Sequence, residues 1–276
     1  MVKVSVVGAT GYAGAELMRL LTAHRQVTVT HAVSKSFAGQ PMSSLYPSFF
    51  SNDYALDTLD FDSLAADSDI VFTCLPHGAS AETASQLLSR GVRVIDLSGD
   101  FRYNDVSIYE RWYKIKHAAP ELMAKSVYGM PELYRERIKK TRLVGNPGCY
   151  TTCSILPLYP LLKAGVIESC GIIIDAKSGV TGAGRSEKLA NSFCEVDESL
   201  KAYGVATHRH TSEIEQELSL AAGTDVVVSF TPHLLPIKRG ILSTLYATPK
   251  AGVDVADIAA AYAVYAGEPF VQVMGG

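Results

Sequence analysis

The sequence is short of several features that assign a chain to a class at once. No charge sign dominates: 25 Lys and Arg stand against 28 Asp and Glu, a formal net charge of −3 over 276 residues. That balance excludes a broad electrostatic surface for nucleic acid or an anionic membrane, while leaving room for a local anion pocket. Long apolar runs are missing too. The longest, Ile258 to Ala266, is about half of the ~20 residues that a membrane-spanning helix needs. The apolar start, Met1 to Gly8, is too brief for a secretory leader and runs straight into a glycine turn. Cysteines number five, at 74, 149, 153, 170 and 194, an odd count with no paired spacing and no His/Cys cluster nearby. This excludes a disulfide framework and a cysteine-based metal site. Cys74 and Cys170 adjoin apolar, strand-like segments and are expected to be reduced core thiols. The expectation is a cytoplasmic protein without nucleic-acid, membrane or metal partner.

What is present is nearly half hydrophobic and under a fifth charged, enough to bury a substantial core. The first third alternates β-rich and helical stretches, the βαβ pattern of a parallel sheet. Strands are predicted at Val2–Val7, Val27–Val33, Ile70–Leu75 and Val92–Leu97. Helices are predicted at Ala13–Ala23, with Leu17, Leu20 and Leu21 inward, and at Ala79–Arg90. Right-handed crossovers wind these into a Rossmann-like doubly wound sheet. From Ser98 to Gly145 the pattern loosens. Beyond Cys149 a Leu-rich helical run leads to strands at Gly171–Ala176, Asp225–Thr231 and Gly240–Ala247 with long connections, which predicts a mixed α+β domain. The boundary reads as residues 1–148 for nucleotide binding and 149–276 for catalysis and self-association into a homo-oligomer, a dimer or tetramer. The last apolar stretch, Phe270 to Met274, reads as a strand.

Between the first strand and first helix lies Gly8-Ala-Thr-Gly11-Tyr-Ala-Gly14. Glycines at that junction let backbone N–H groups approach a pyrophosphate at a helix N-terminus. A purely structural turn is the alternative. An NAD site carries an acid about 20 residues further on, at the end of the second strand. Here that stretch is His31-Ala-Val-Ser34-Lys35-Ser36, a hydroxyl–cation–hydroxyl run suited to the 2′-phosphate of NADP.

In Gly145-Asn-Pro-Gly148-Cys149-Tyr-Thr-Thr152, Pro147 and Gly148 make a turn and the apolar run after it is helical. Cys149 therefore falls in the first turn of a helix, with Pro157 and Pro160 expected to kink or restart that helix about two turns on. A helix N-terminus stabilises a thiolate, and its N–H groups can hold an oxyanion. This geometry leaves a reactive thiolate and a structural thiol as alternatives; Cys153, one turn later, reads as a buried bystander. Thr207-His208-Arg-His210-Thr-Ser-Glu213 offers two imidazoles before a helix that Thr211 or Ser212 can cap. Residues two apart in extended chain point to opposite sides, so one of the two is expected to face Cys149. His208 is the choice, with His210 as fallback or substrate ligand.

The motifs GATGYAGAEL (8–17), SKSFAGQP (34–41), CLPHG (74–78), VIDLSGDFR (94–102), YGMPELYRE (128–136), GNPGCYTT (145–152), SGVTGAGR (178–185), HRHTSEIEQ (208–216) and SFTPHLLPIKRGIL (229–242) resemble, in order, the N-acetyl-gamma-glutamyl-phosphate reductases, relatives of the aspartate-semialdehyde dehydrogenases. GNPGCYTT with YGMPELYRE is the specific pair. The resemblance implies NADPH-dependent reduction of an acyl phosphate through a Cys149 thioester, with His208 as acid/base. It implies that Gly8, Thr10, Gly11, Ala13 and Gly14 cradle the cofactor, that Ser34 and Lys35 lie near its 2′-phosphate, and that Pro76 lines the nicotinamide side. Arg102 resembles the arginine that meets the departing phosphate, a loop salt bridge being the alternative. Ser178, Gly179 and Arg185 lie in a Gly-rich loop that either borders the substrate or is a flexible turn. Family members continue past a point like Gly276 with a helix that returns to the cofactor domain, so the expectation is an incomplete cofactor site if the chain ends there. Competing expectations are aspartyl or aminoadipyl phosphate as substrate, and a non-catalytic NADP-binding regulator.

Overall fold

The computed structural model describes residues 1–275. Contacts divide the chain into two compact units, Met1–Pro147 and the remainder from Gly148. Among the described residues, no helix is long and apolar enough to cross a membrane.

In the first unit, β1 (Val2–Val7), α1 (Tyr12–Thr22), β2 (Val27–Val33), β3 (Leu56–Asp57), α2 (Phe61–Asp67), β4 (Ile70–Thr73), α3 (Ser80–Ser89) and β5 (Arg93–Asp96) alternate as their sequence periods dictate. The looser stretch folds as α4 (Val106–Tyr113), α5 (Pro120–Met123), β6 (Val127–Tyr128), α6 (Pro131–Lys140) and β7 (Leu143–Gly145). The strands form one seven-stranded sheet in the order β3-β2-β1-β4-β5-β7-β6, parallel at every pairing. Val4, Val6, Met18, Leu21 and Ala32 share one core cluster; Val7, Val71, Val94, Leu64 and Leu87 share another. Apolar strands between two helical layers explain the near-continuous Val/Ile runs. Strand order reverses at β1, so the carboxyl ends of β1 and β4 flank the crevice where such sheets bind ligands.

Leu20 is exposed and Met18 is fully buried. The inward stripe of α1 runs through Ala15, Met18 and Leu21, because a period of 3.6 residues puts positions three apart on one face and turns the consecutive Leu20 away from Leu21.

The second unit holds α7 (Cys149–Lys163), β8 (Ile172–Gly179), α8 (Phe193–Val196), β9 (Lys201–Ala202), α9 (His210–Ala222), β10 (Val228–Leu235), β11 (Ile241–Tyr246) and α10 (Val255–Ala261). Its four-stranded sheet runs β11-β8-β10-β9, with β8 and β10 parallel and the other pairs antiparallel. One face packs Ile172, Ile174, Ala176 and Phe230 against Tyr150, Leu158, Ile214 and Leu218 of α7 and α9. The opposite face exposes Ile173, Leu242 and Tyr246, giving these strands the alternating burial of a half-covered sheet.

Three expectations fail here. First, α7 passes through Pro157 and Pro160 to Lys163. Pro160 has no N–H for the Leu156 carbonyl; the buried Tyr265 hydroxyl donates to it at 2.7 Å, and Tyr262 donates to the Pro157 carbonyl at 2.9 Å. The Tyr265 hydroxyl thus satisfies the Leu156 carbonyl that Pro160 leaves without its helical donor, and the helix runs on. Second, Cys170 is exposed, in the turn before β8, rather than buried. Third, Phe270–Met274 is not a strand. Its alternation is present, yet no strand pairs with it, and Phe270 and Met274 are exposed.

Candidate active site

At the carboxyl end of β1 the chain turns into α1. Gly8 has φ +89°, and a Cβ there would lie 2.5 Å from the Cys74 carbonyl oxygen; one at Gly14 would lie 2.2 Å from that of Gly8. Backbone meets backbone at both, so only glycine fits. Gly11 differs: a Cβ there would come no nearer than 3.7 Å to the protein, so the fold itself leaves that space open. Gly11 precedes α1 without a side-chain cap, and the first turn of α1 carries no acid. Its N–H groups and positive end therefore suit an anion, with exposed Ala13 on the rim. The Thr10 hydroxyl lies 2.9 Å from that of Ser34, tying the turn to the end of β2. Ser34 is buried and Lys35 exposed beside it. The neighbouring acid on β3, Asp57, is engaged by His31 Nδ1 at 3.0 Å. The uncapped start of α1 beside this glycine turn fits the pyrophosphate of a dinucleotide.

After β4, Cys74-Leu-Pro76-His77-Gly78 leads to α3, and Pro76 is exposed. This turn is held by the loop after β5. Asp100, fully buried, accepts from the N–H groups of Gly78 (2.8 Å), Ser80 (3.1 Å) and Ala81 (3.1 Å) and from the Tyr109 hydroxyl (2.9 Å). It caps α3, whose own N-cap, Ala79, has no side chain able to do so. In return Gly99 N–H donates to His77 Nδ1 at 2.8 Å. At the end of β5, Asp96 accepts from the hydroxyls of Thr73, Ser80 and Ser98; burial holds its carboxyl above the usual range, against those hydrogen bonds. Arg102 is buried too, donating Nε to Asn146 O (2.7 Å) and Nη2 to Leu97 O (2.8 Å). The backbone ends of β5 and β7 thus anchor its guanidinium.

In the second unit Cys149 is the first residue of α7 and is exposed. Gly148 before it is extended, at φ −72° and ψ 162°. Beneath it, buried Tyr150 meets the rings of His208 (centroids 5.6 Å apart), His210 (6.1 Å) and Phe230 (5.4 Å) edge-on. Its hydroxyl donates to His233 O and accepts from Tyr203, each at 3.1 Å. The two imidazoles lie together, 4.8 Å apart, and not on opposite sides as extended chain would place them. The reason is local: Arg209 is already helical, at φ −57° and ψ −32°, and His208 Nδ1 accepts the His210 N–H at 3.1 Å. The cap of α9 is therefore His208, not Thr211 or Ser212. An acceptor Nδ1 leaves the neutral ring's proton on Nε2. Burial, aided by Arg209, lowers the His208 pKa to about 4.

Cys153 is partly buried, and its thiol donates to Tyr150 O at 3.3 Å. Burial pushes Cys153 up to about 11 and Cys74 to about 12, which leaves both protonated at neutral pH. Ser178 and Gly179 end β8. The Ser178 hydroxyl donates to Gly179 O (2.9 Å), and a Cβ on Gly179 would lie 2.7 Å from Arg239 N. Arg185 sits on the exposed segment that follows. Sequence reasoning missed Tyr150, Tyr203 and Asp100, and read Glu213 only as an acid suited to the first turn of its helix, where it does lie. Tyr150, Asp100 and Glu213 stand inside quoted motifs, where an aromatic on a helix reads as core and an acid in a loop reads as solvated.

Because His208 binds its proton at about 4 folded and near 6.5 ordinarily, the unfolded chain protonates first. Its contribution to stability is whole above pH 6.5 and declines as pH falls toward 4. Thermal melts from pH 7 to pH 4 should show a steeper loss for the unmodified protein than for His208→Gln; parallel curves would contradict the buried neutral imidazole.

The profile for the semialdehyde dehydrogenase NAD-binding domain matches residues 3–141, and that for the semialdehyde dehydrogenase dimerisation domain matches residues 149–276. The chain is 49% identical over 277 residues to the N-acetyl-gamma-glutamyl-phosphate reductase of Acetivibrio thermocellus, covering 99% of this chain and 80% of that one. It is 51% identical over 278 residues to that of Geobacter sulfurreducens, with the same coverage. Among solved structures it resembles aspartate semialdehyde dehydrogenase II of Vibrio cholerae, complexed with ASA, with a TM-score of 0.70 at 16% identity over 95% of this chain and 78% of that one. The Candida albicans aspartate semialdehyde dehydrogenase with NADP gives a TM-score of 0.67 at 16% identity, covering 95% and 75%. Those two likenesses speak to fold, and the closer relatives to kinship: the chain belongs to the N-acetyl-gamma-glutamyl-phosphate reductase family of semialdehyde dehydrogenases.

Proposed function

We propose that this protein reduces N-acetyl-L-glutamyl 5-phosphate to N-acetyl-L-glutamate 5-semialdehyde and phosphate, with NADPH as reductant and Cys149 as nucleophile. The observation that carries the reading is the exposed thiol on the first residue of α7, with two imidazoles packed on the ring of the next residue, Tyr150. The substrate follows from the name its relatives share.

Gly8, Thr10, Gly11, Ala13 and Gly14 would hold the cofactor's pyrophosphate, Ser34 and Lys35 its ribose phosphate, and Pro76 the side of its ring. A bound nicotinamide cofactor supplies the hydride. The protein's part begins with the Cys149 thiolate, stabilised by the helix N-terminus. Its sulfur attacks the acyl carbon, the carbon–oxygen bond to phosphate breaks, and a thioester forms; Arg102 is the guanidinium assigned to the departing phosphate. First-turn N–H groups of α7 face the developing oxyanion. His208, neutral with its proton on Nε2, suits a hydrogen-bond donor to that oxygen better than a base. His210 is the imidazole left to take the thiol proton. After reduction the carbon–sulfur bond breaks, the aldehyde leaves and Cys149 is restored. Ser178, Gly179 and Arg185 border the acyl end of the substrate.

The match to a dimerisation domain, with the apolar outer face of Ile173, Leu242 and Tyr246, supports a homo-oligomer assembled through that sheet. Leu242→Asp should shift the mass in light scattering toward monomer at micromolar protein; an unchanged oligomer would move the interface elsewhere.

Two kinetic tests address the chemistry. Cys149→Ser should lower kcat by on the order of 10³ or more while NADPH still binds. Retained turnover would remove the thioester. Lys35→Ala should lower kcat/KM for NADPH by about 10-fold, a charge-assisted hydrogen bond being worth ~1.5 kcal/mol, and leave NADH alone. Equal efficiency of NADPH and NADH before substitution would refute the phosphate assignment.

A further inference from the structure

We propose that Glu213 is the positioning residue of the nucleophile: its buried carboxylate clamps the turn that carries Cys149 to the helix that follows the two imidazoles. The inference rests on the assignment of Cys149 as nucleophile.

Glu213 lies in the first turn of α9 and has no accessible surface. Its Oε1 accepts the Gly148 N–H at 3.1 Å and lies 3.0 Å from the Thr151 hydroxyl. That hydroxyl also reaches Gly148 O, at 2.6 Å, and Thr152 N–H donates to the same carbonyl at 2.9 Å. Both backbone groups of Gly148 are therefore fixed, one by Glu213 and one by the first turn of α7. Gly148 has no side chain with which to cap α7, so the acid comes from a residue 65 positions away. Cys149 follows directly, and the direction of its Cα–Cβ bond is set by a residue that cannot rotate.

The same end of α9 begins with His210, whose N–H is held by His208 Nδ1. Glu213 is three residues further along the same helix. The first turn of α9 thus carries His210 and the clamp on the thiol's turn, with His208 tied to it through the His210 N–H, so the Glu213 bonds join the thiol's turn to the segment that bears the imidazoles. A carboxylate costs more to bury than an apolar side chain unless its hydrogen bonds are met. Its presence between two helix starts is explained by what it holds. A misplacement of about 1 Å between reacting groups can cost ~10²-fold in rate.

The test compares Glu213→Ala and Glu213→Gln in the full chain by steady-state kinetics, with melting temperature and NADPH affinity as controls. The amide oxygen of Gln can still accept the Gly148 N–H; Ala cannot. The expected result is a kcat loss of about 10²-fold for Ala, with KM for the acyl phosphate within threefold, and recovery of most of that loss by Gln. A kcat for Ala within threefold of the unmodified enzyme overturns the inference, as does a folded Gln variant no better than Ala, or a loss that falls on KM. Should Ala not fold, Thr151→Ser and Thr151→Val decide: the hydroxyl-bearing variant must retain kcat and the isosteric Val must lose it, and equal rates overturn the clamp. Cys149→Ser separates the two claims. If that variant still turns over, the nucleophile assignment fails; if it is inactive while Glu213→Ala is not, the clamp alone fails.

Discussion

The structure depends on what is done with the unpaired N–H groups at helix starts. Three helices away from the site cap themselves: Asp60 for α2, Asp105 for α4 and Asp254 for α10 each accept from their own first turn, whereas α5, α6 and α8 start without a side-chain cap. The four helices that carry the site residues begin at Gly11, Ala79, Gly148 and Arg209, and none of these caps its own helix with a side chain. An uncapped helix start is either satisfied from elsewhere or offered to a ligand. Asp100 satisfies α3, Glu213 reaches the turn before α7, and His208 satisfies α9. The start of α1 is left with the open space at Gly11 and no acid in its first turn, the condition a pyrophosphate needs.

That division links stability to chemistry. Asp100 and Glu213 are fully buried acids, which a fold tolerates only when their hydrogen bonds are met. Each holds a turn through backbone N–H: Asp100 the turn after Pro76, with three such groups, and Glu213 the turn before Cys149, with the Gly148 N–H and the Thr151 hydroxyl. The same bonds that make the acids tolerable make the turns rigid. His208 applies the principle with an imidazole, and its capping bond also selects its tautomer. Where Pro160 removes a helical donor within α7, the Tyr265 hydroxyl supplies another, and the helix packs Leu158, Leu161 and Leu162 into the core.

Much of this could be read in advance where one segment contained both cause and effect. The strands β1 and β2, the glycine turn into α1, and the placement of Cys149 at a helix start all follow from residues within a few positions of one another. The clustering of His208 with His210 could not be read, because it turns on whether Arg209 is extended or helical, and that is settled by Tyr150 and Phe230 packing on the rings. The same holds for Met18 replacing Leu20 in the core of α1, and for α7 surviving its prolines.

By itself the sequence determined the order of the main strands and helices, the glycine turn between β1 and α1, and the residue types available for nucleophile, base and phosphate contacts. All of these are properties of short stretches of chain. Tertiary structure alone decided which acid serves which helix start and that the two imidazoles share the Tyr150 ring, because those depend on hydrogen bonds and packing between segments 20 to 65 residues apart.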